Sequence, residues 1–265
     1  MAHVTSVTFR NKKQAGERLA VLTAYDYPTA RLLDECGIDA ILVGDSCGMA
    51  VMGRPNTLSV TMDEMVHHTR MVSAAADRAL VIADMPFLSY QTSPARAVEN
   101  AGRLVAEGGA QAVKLEGPAQ SWGPAIEAIL AAGIPVMGHL GLTPQSIHRL
   151  GGYKVQGRDD ADRAFMEREA RALEAAGVFS IVLEVVPDSL AAAITEALSV
   201  PTIGIGAGPH CDGQVLVLHD MLGFGIATKH AKVYTDLRAQ MSEAVTGYIG
   251  EVRSGAFPAQ EHTFT

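Results

Sequence analysis

Six side chains of this 265-residue chain carry a charge or a titratable proton near the close of otherwise apolar stretches: Asp45, Asp84, Lys114, Glu116, His139 and Glu184. The stretches are "AILVGD", "ALVIADM", "AVKLEG", "PVMGHL" and "SIVLEVV". A carboxylate is costly to bury unless it is paired or bound to metal, so neighbouring runs that each close on such a group imply a shared site. The carboxylates and the one lysine make a hard, oxygen-rich set, and neither paired histidines nor thiolates accompany them, which suits Mg²⁺ better than Zn²⁺. Mg²⁺ leaves positions for water and substrate, and an α-keto acid could fill two with its carboxylate and carbonyl oxygens. Lys114 would balance the anion and Ser46 would hydrogen-bond it. Each residue alone has a plainer reading, since a strand-end Asp often caps the next helix and Lys114 could snorkel or pair with a carboxylate.

Bringing such residues together requires elements that end on one face. Eight short apolar runs, 19–26, 40–45, 79–85, 112–117, 135–140, 180–186, 201–206 and 214–220, are bounded by Gly, Asp or Pro and read as strands. Amphipathic stretches at 28–37, 93–109, 122–133 and 162–177 lie between them, and several end in Gly. Near-continuous apolar strands alternating with helices imply a parallel sheet covered on both faces, and eight such units predict a (β/α)₈ TIM barrel as one domain over 1–265. The C-terminal ends of barrel strands form one mouth, so residues distant in sequence meet there. The segment before the first run is expected to be a helix closing the barrel floor, and runs 7 and 8 are too close for a full crossover helix.

Composition narrows the function classes. A net charge of −8 and no basic patch argue against a nucleic-acid partner. No apolar h-region opens the chain and no apolar run reaches membrane-spanning length, so no membrane role is expected and the protein is expected to be cytoplasmic. Cys36, Cys47 and Cys211 are too scattered for a disulfide framework or zinc site. His67 and His68 are adjacent on a helical stretch, face different sides and cannot grip one metal. "GIGAGPHCDG" (204–213) could cradle a phosphate after a late barrel strand, but its glycine spacing is not a dinucleotide fingerprint; close backbone approach to substrate is the favoured reading. "GGYKVQGRDD" (151–160) is either a lid over the mouth or a plain surface turn.

Nine collinear blocks carry a family resemblance: "LTAYDYPTA", "LVGDSCGM", "ADMPFLSY", "AVKLEG", "GHLGLTPQS", "GGYKVQGR", "LEVVP", "IGIGAGPHCDGQVLVLHDMLG" and "FPAQEHTF". From residue 8 to the C-terminus the chain resembles the 3-methyl-2-oxobutanoate hydroxymethyltransferase (ketopantoate hydroxymethyltransferase) family. The resemblance implies a barrel of the phosphoenolpyruvate/pyruvate type. It also implies transfer of a one-carbon unit from 5,10-methylenetetrahydrofolate to 3-methyl-2-oxobutanoate, giving 2-dehydropantoate for pantothenate and coenzyme A synthesis through a Mg-stabilised enolate. Members are ring-shaped homo-oligomers, and a ring such as a decamer is expected here. By matching motif, Asp45 and Asp84 would bind Mg²⁺ with Glu116 as a third carboxylate acting through water. Ser46 and Lys114, with Asp45 and Asp84, would bind the keto acid, Glu184 would be the catalytic base, and His139 would have a supporting role. Cys47 departs from the Leu or Ala familiar at its position and reads as packing.

The chemistry asks much of these residues. Glu has a reference pKa near 4.3 and each unit of mismatch with the weakly acidic C3–H costs about 1.4 kcal/mol, so Glu184 needs electrophilic help at the C2 carbonyl. Two alternatives stay open: a Mg²⁺-dependent carbon–carbon lyase or phosphonomutase of the same barrel type, and a non-catalytic small-molecule binding protein.

Overall fold

Eight strands pair in sequence order, all parallel, and the first closes on the last: β1 Leu19–Thr23, β2 Ala40–Val43, β3 Leu80–Asp84, β4 Ala112–Lys114, β5 Val136–Gly141, β6 Ser180–Glu184, β7 Thr202–Ile205 and β8 Gly213–Leu216. This computed structural model describes residues 3–225 and 228–264. The chain forms two compact units, Met1–Val217, which contains the barrel, and Leu218–Thr265, which contains the helices Leu218–Met221 and Leu237–Ser254. The expected barrel is therefore present. Its eighth strand is shorter than the run 214–220, because Leu218 to Met221 turn into a helix.

The covering helices follow the amphipathic stretches: Tyr27–Glu35, Pro94–Ala106, Ala119–Ala131 and Asp160–Ala176, joined by Met62–Ser73 and Asp188–Ala197. Their starts are set chemically. Asp26, Thr61, Ser93 and Asp159 accept from backbone N–H groups of the first turn, which satisfies donors the helix itself cannot. Gly177 closes the Asp160–Ala176 helix in the left-handed conformation at φ 102°. Between β7 and β8 there is no helix, as their spacing requires.

The opening segment plugs the barrel. Thr5 and Thr8 form reciprocal caps for the helix Ser6–Ala15, and its Phe9 is fully buried in a cluster with Leu19, Val21, Leu80, Ile82, Phe179 and Val215. The Phe9 and Phe179 rings meet edge-on at 5.5 Å. Lys12 pairs with Asp39 at 2.6 Å and Lys13 with Asp212 at 2.9 Å; these carboxylates precede β2 and β8, so both ties anchor the plug to the strand starts. The catalytic mouth is thereby left to the opposite end. Phe9→Ala should lower unfolding free energy by about 3 to 5 kcal/mol, the usual cost of removing a buried aromatic, and chemical denaturation would measure it; a loss under 1 kcal/mol would mean that the helix is not part of the core.

Candidate functional site

Strand register brings the candidate residues together. Asp84 and Lys114 are the last residues of β3 and β4 and stand side by side in the sheet, so Lys114 Nζ reaches Asp84 Oδ1 at 2.9 Å. β2 runs beside β3 with Val43 opposite Ala83, which sets Asp45, just past the strand, against Asp84: the Asp45 N–H donates to Asp84 Oδ2 at 3.1 Å. The chain can approach this closely because residue 44 is glycine; a Cβ there would lie 2.5 Å from Ser46 Oγ. Glu116, two residues beyond β4, lies next to β5 through the Gly117–His139 bridge. His139 Nδ1 is 3.6 Å from Glu116 Oε1, and its Nε2 is 3.2 Å from Glu184 Oε2. Ser46 Oγ is 2.9 Å from the Tyr25 hydroxyl. All seven sequence-derived candidates thus fall on one connected patch at the C-terminal strand ends.

Except for Ser46 and Glu184, these side chains are buried, and their protonation reflects competition within the cluster. Burial pushes Asp45 well above the usual carboxylate range, with repulsion from Glu116 and Asp84 adding to it. Burial also raises Asp84, against the opposing pull of Lys114. Glu116 would be raised by burial, but His139 and Lys114 hold it below its ordinary value. Lys114 is raised because Asp84, Glu116 and Asp45 outweigh burial. Burial and the Lys114 charge press His139 down, yet Glu116 and Glu184 lift it to about 9. Glu184 keeps 18% side-chain exposure, so it opens to the mouth. Its neighbour Val185 holds φ at 49°, a left-handed conformation that a β-branched residue adopts only under constraint. There its N–H donates to Ile205 O at 2.8 Å and its carbonyl accepts from Gln156 N–H at 3.1 Å.

The cluster fits a divalent cation. Three buried carboxylates face the Lys114 ammonium, and burial, with repulsion from Glu116 and Asp84, disfavours the Asp45 anion, which a bound cation would offset. Among the described residues no three His, Cys, Asp or Glu side chains converge closely enough to ligate one ion. Asp45 and Asp84 could hold an ion as a pair, with water and substrate completing the shell in the manner of Mg²⁺.

Sequence reasoning missed Tyr25, Tyr90 and Gln145, neutral side chains woven into this cluster; the only signal for them was their place inside the quoted blocks. In the 204–213 loop, Gly208 is required by packing: a Cβ there would stand 2.2 Å from Asp188 Oδ1. His68 Nδ1 contacts Tyr25 O at 2.7 Å, a packing role as expected. Cys47 is buried with its thiol pushed up by burial to about 12, an inert packing residue. Tyr153 is 56% exposed, with its hydroxyl 3.7 Å from Met49 Sδ, and the Gln156 N–H of the same segment donates to Val185 O at 3.1 Å, so 151–158 lies against the residue that follows Glu184. A separate cleft of about 260 Å³, bordered by Leu140, Arg149, Gln156, Phe165 and Met166, takes none of the seven candidate side chains into its lining.

The family model described as ketopantoate hydroxymethyltransferase matches residues 3–260. The chain belongs to this family. Proteins named 3-methyl-2-oxobutanoate hydroxymethyltransferase include one from Pelobacter propionicus, 56% identical over 98% of this chain and 97% of its own, and one from Thermoanaerobacter pseudethanolicus, 54% identical over 99% and 96%. In fold the chain is similar to a phosphoenolpyruvate phosphomutase from Streptomyces platensis, at TM-score 0.65 and 16% identity over 98% of this chain and 92% of that one. Ketopantoate hydroxymethyltransferase membership accounts for the ordered blocks and agrees with the barrel seen here. No described helix is long and apolar enough to cross a membrane.

In the folded chain His139 stays protonated to about 9, against 6.5 for the free group. Its contribution to stability is therefore complete below pH 6.5 and is lost as pH rises through 9. Metal-free protein should lose roughly 3 kcal/mol of unfolding free energy over that window from this group, and His139→Gln should flatten the slope. Equal slopes in urea titrations of the two proteins would contradict the assignment.

Proposed function

We propose that this chain transfers a hydroxymethyl group from 5,10-methylenetetrahydrofolate to 3-methyl-2-oxobutanoate, giving 2-dehydropantoate in pantothenate biosynthesis. The observation that carries the site assignment is the meeting of Asp45, Asp84 and Lys114 with Glu184 at one end of the barrel. Lys114, buried and firmly protonated, supplies counter-charge for the keto-acid carboxylate, and Ser46, steadied by Tyr25, donates a hydrogen bond to it. Asp45 and Asp84 would hold Mg²⁺, with Glu116 behind them through water; when bound, the ion supplies Lewis-acid polarisation of the C2 carbonyl, worth several kcal/mol. Glu184, open to the mouth and backed by His139, takes the C3 proton. The C3 carbon then forms its bond to the methylene carbon of the folate as that carbon gives up its two bonds to folate nitrogen; one water supplies the hydroxyl of the product, and tetrahydrofolate leaves carrying the proton from water and the one taken from C3. Tyr153 and the 151–158 segment would cover the mouth during this exchange.

The assignments separate experimentally. Asp45→Ala and Asp84→Ala should each abolish turnover and Mg²⁺-dependent keto-acid binding while circular dichroism stays native; near-normal activity in either would remove the metal site. Glu184→Gln keeps the outline of the side chain but cannot accept a proton. It should stop deuterium exchange at C3 of 3-methyl-2-oxobutanoate in D₂O, followed by NMR with folate or a non-reactive analogue bound, and leave keto-acid binding intact. Exchange at the wild-type rate would assign the base elsewhere.

A ring-shaped homo-oligomer, such as a decamer, completes the proposal. On the helix Leu237–Ser254 no residue is buried, and Met241, Val245, Tyr248, Ile249 and Val252 expose one apolar face. Light scattering should give a multiple of the 27.9 kDa chain, and Val245→Glu with Tyr248→Glu should shift it toward monomer; a wild-type monomer would exclude the ring.

A further inference from the structure

Gln145 touches no reacting atom in this mechanism, yet it fills every bonding position of its side chain inside the cluster. Its Nε2 donates to Asp45 Oδ2 and to Met85 O, both at 2.9 Å. Its Oε1 accepts from the Tyr90 hydroxyl at 2.9 Å and from Gln91 Nε2 at 3.1 Å. Its backbone N–H donates to Glu116 Oε2 at 2.9 Å. A primary amide offers two hydrogens and two lone pairs, and all four are engaged, so the amide has one orientation. Turned by half a revolution, its oxygen would face the Asp45 carboxylate and the Met85 carbonyl, and its hydrogens would face Gln91 Nε2. Tyr90 locks the other side: its buried hydroxyl accepts from the Glu116 N–H at 3.2 Å and lies 2.9 Å from the Glu116 carbonyl.

We propose that Gln145 is a positioning residue that sets the spacing and orientation of Asp45 and Glu116 for the metal ion and the keto acid. The two carboxylates repel each other, and without a common donor they would rotate apart. One residue restrains both, Asp45 through the side chain and Glu116 through the backbone, from the turn Pro144–Ser146 that follows β5. Substitution therefore cuts the Asp45 tie alone, because the N–H to Glu116 remains. The inference rests on the reading of Asp45 and Asp84 as the ion's holders.

The test uses Mn²⁺, which shares the carboxylate and water preferences of Mg²⁺ and is visible by electron paramagnetic resonance. Wild type, Gln145→Met and Tyr90→Phe are titrated with Mn²⁺ with and without 3-methyl-2-oxobutanoate, beside thermal melts of the same samples. Gln145→Met should bind Mn²⁺ about 10- to 100-fold more weakly, the usual effect of losing a residue that orients a ligand, and kcat should fall with it. Tyr90→Phe keeps both amide donors and should weaken Mn²⁺ by less than about 10-fold, though measurably. A purely structural role would lower the melting temperature and leave the Mn²⁺ affinity of folded protein unchanged; that result overturns the proposal. Should Gln145→Met not fold, Tyr90→Phe decides, and wild-type affinity in it overturns the proposal equally. Absence of Mn²⁺ binding in wild type would instead overturn the underlying metal reading.

Discussion

One ammonium stands among three carboxylates at the open, C-terminal end of the barrel, and the arrangement around it follows from that imbalance. Lys114 meets Asp84 directly because β3 and β4 are in register, while Asp45 and Glu116 press on the same small volume from the loops after β2 and β4. Such a cluster is stable only while each oxygen has a donor, since an unpaired buried charge costs several kcal/mol. Backbone N–H groups of Asp45 and Gln145 and the Gln145 amide donate to Asp84 Oδ2, Glu116 Oε2 and Asp45 Oδ2, and the Lys114 and His139 cations pair with Asp84 and Glu116. Asp45 is left the least favoured as an anion, through burial and the repulsion of Glu116 and Asp84.

The barrel supplies rigidity at the opposite end. Phe9 seals the strand starts and two lysines pin the sealing helix to Asp39 and Asp212, so the mouth can carry charge and exposed groups without weakening the core. Stability and chemistry are divided between the two ends of the same strands, a separation typical of this architecture.

Much of this was legible in the sequence, for physical reasons. Strands covered on both faces read as unbroken apolar runs, so Asp84, Lys114 and Glu184 announced themselves as polar residues ending such runs. The missing β7–β8 helix followed from the close spacing of their runs, and the floor helix was expected from the segment that precedes the first run. Gln145, Tyr90 and Tyr25 did not stand out, because neutral polar side chains in loops have no period, and the partners of Gln145 lie far away in the chain, Asp45 being 100 residues off. The glycines of 204–213 are ambiguous for a related reason: glycine marks close approach without saying to what, and at Gly208 the neighbour is the Asp188 side chain. The last run ended early because apolar residues from Leu218 onward serve a helix as readily as a strand.

The left-handed backbone at Val185 bears on how such an enzyme can be improved. Non-glycine residues there carry local strain of the order of 1 to 3 kcal/mol, so a screen for heat resistance would be drawn to relax it, most simply with glycine. The same kink joins the carboxylate-bearing end of β6 to Ile205 on one side and Gln156 on the other. Thermostabilised variants selected without an activity filter would therefore tend to collect changes at this position and become sturdier but slower catalysts.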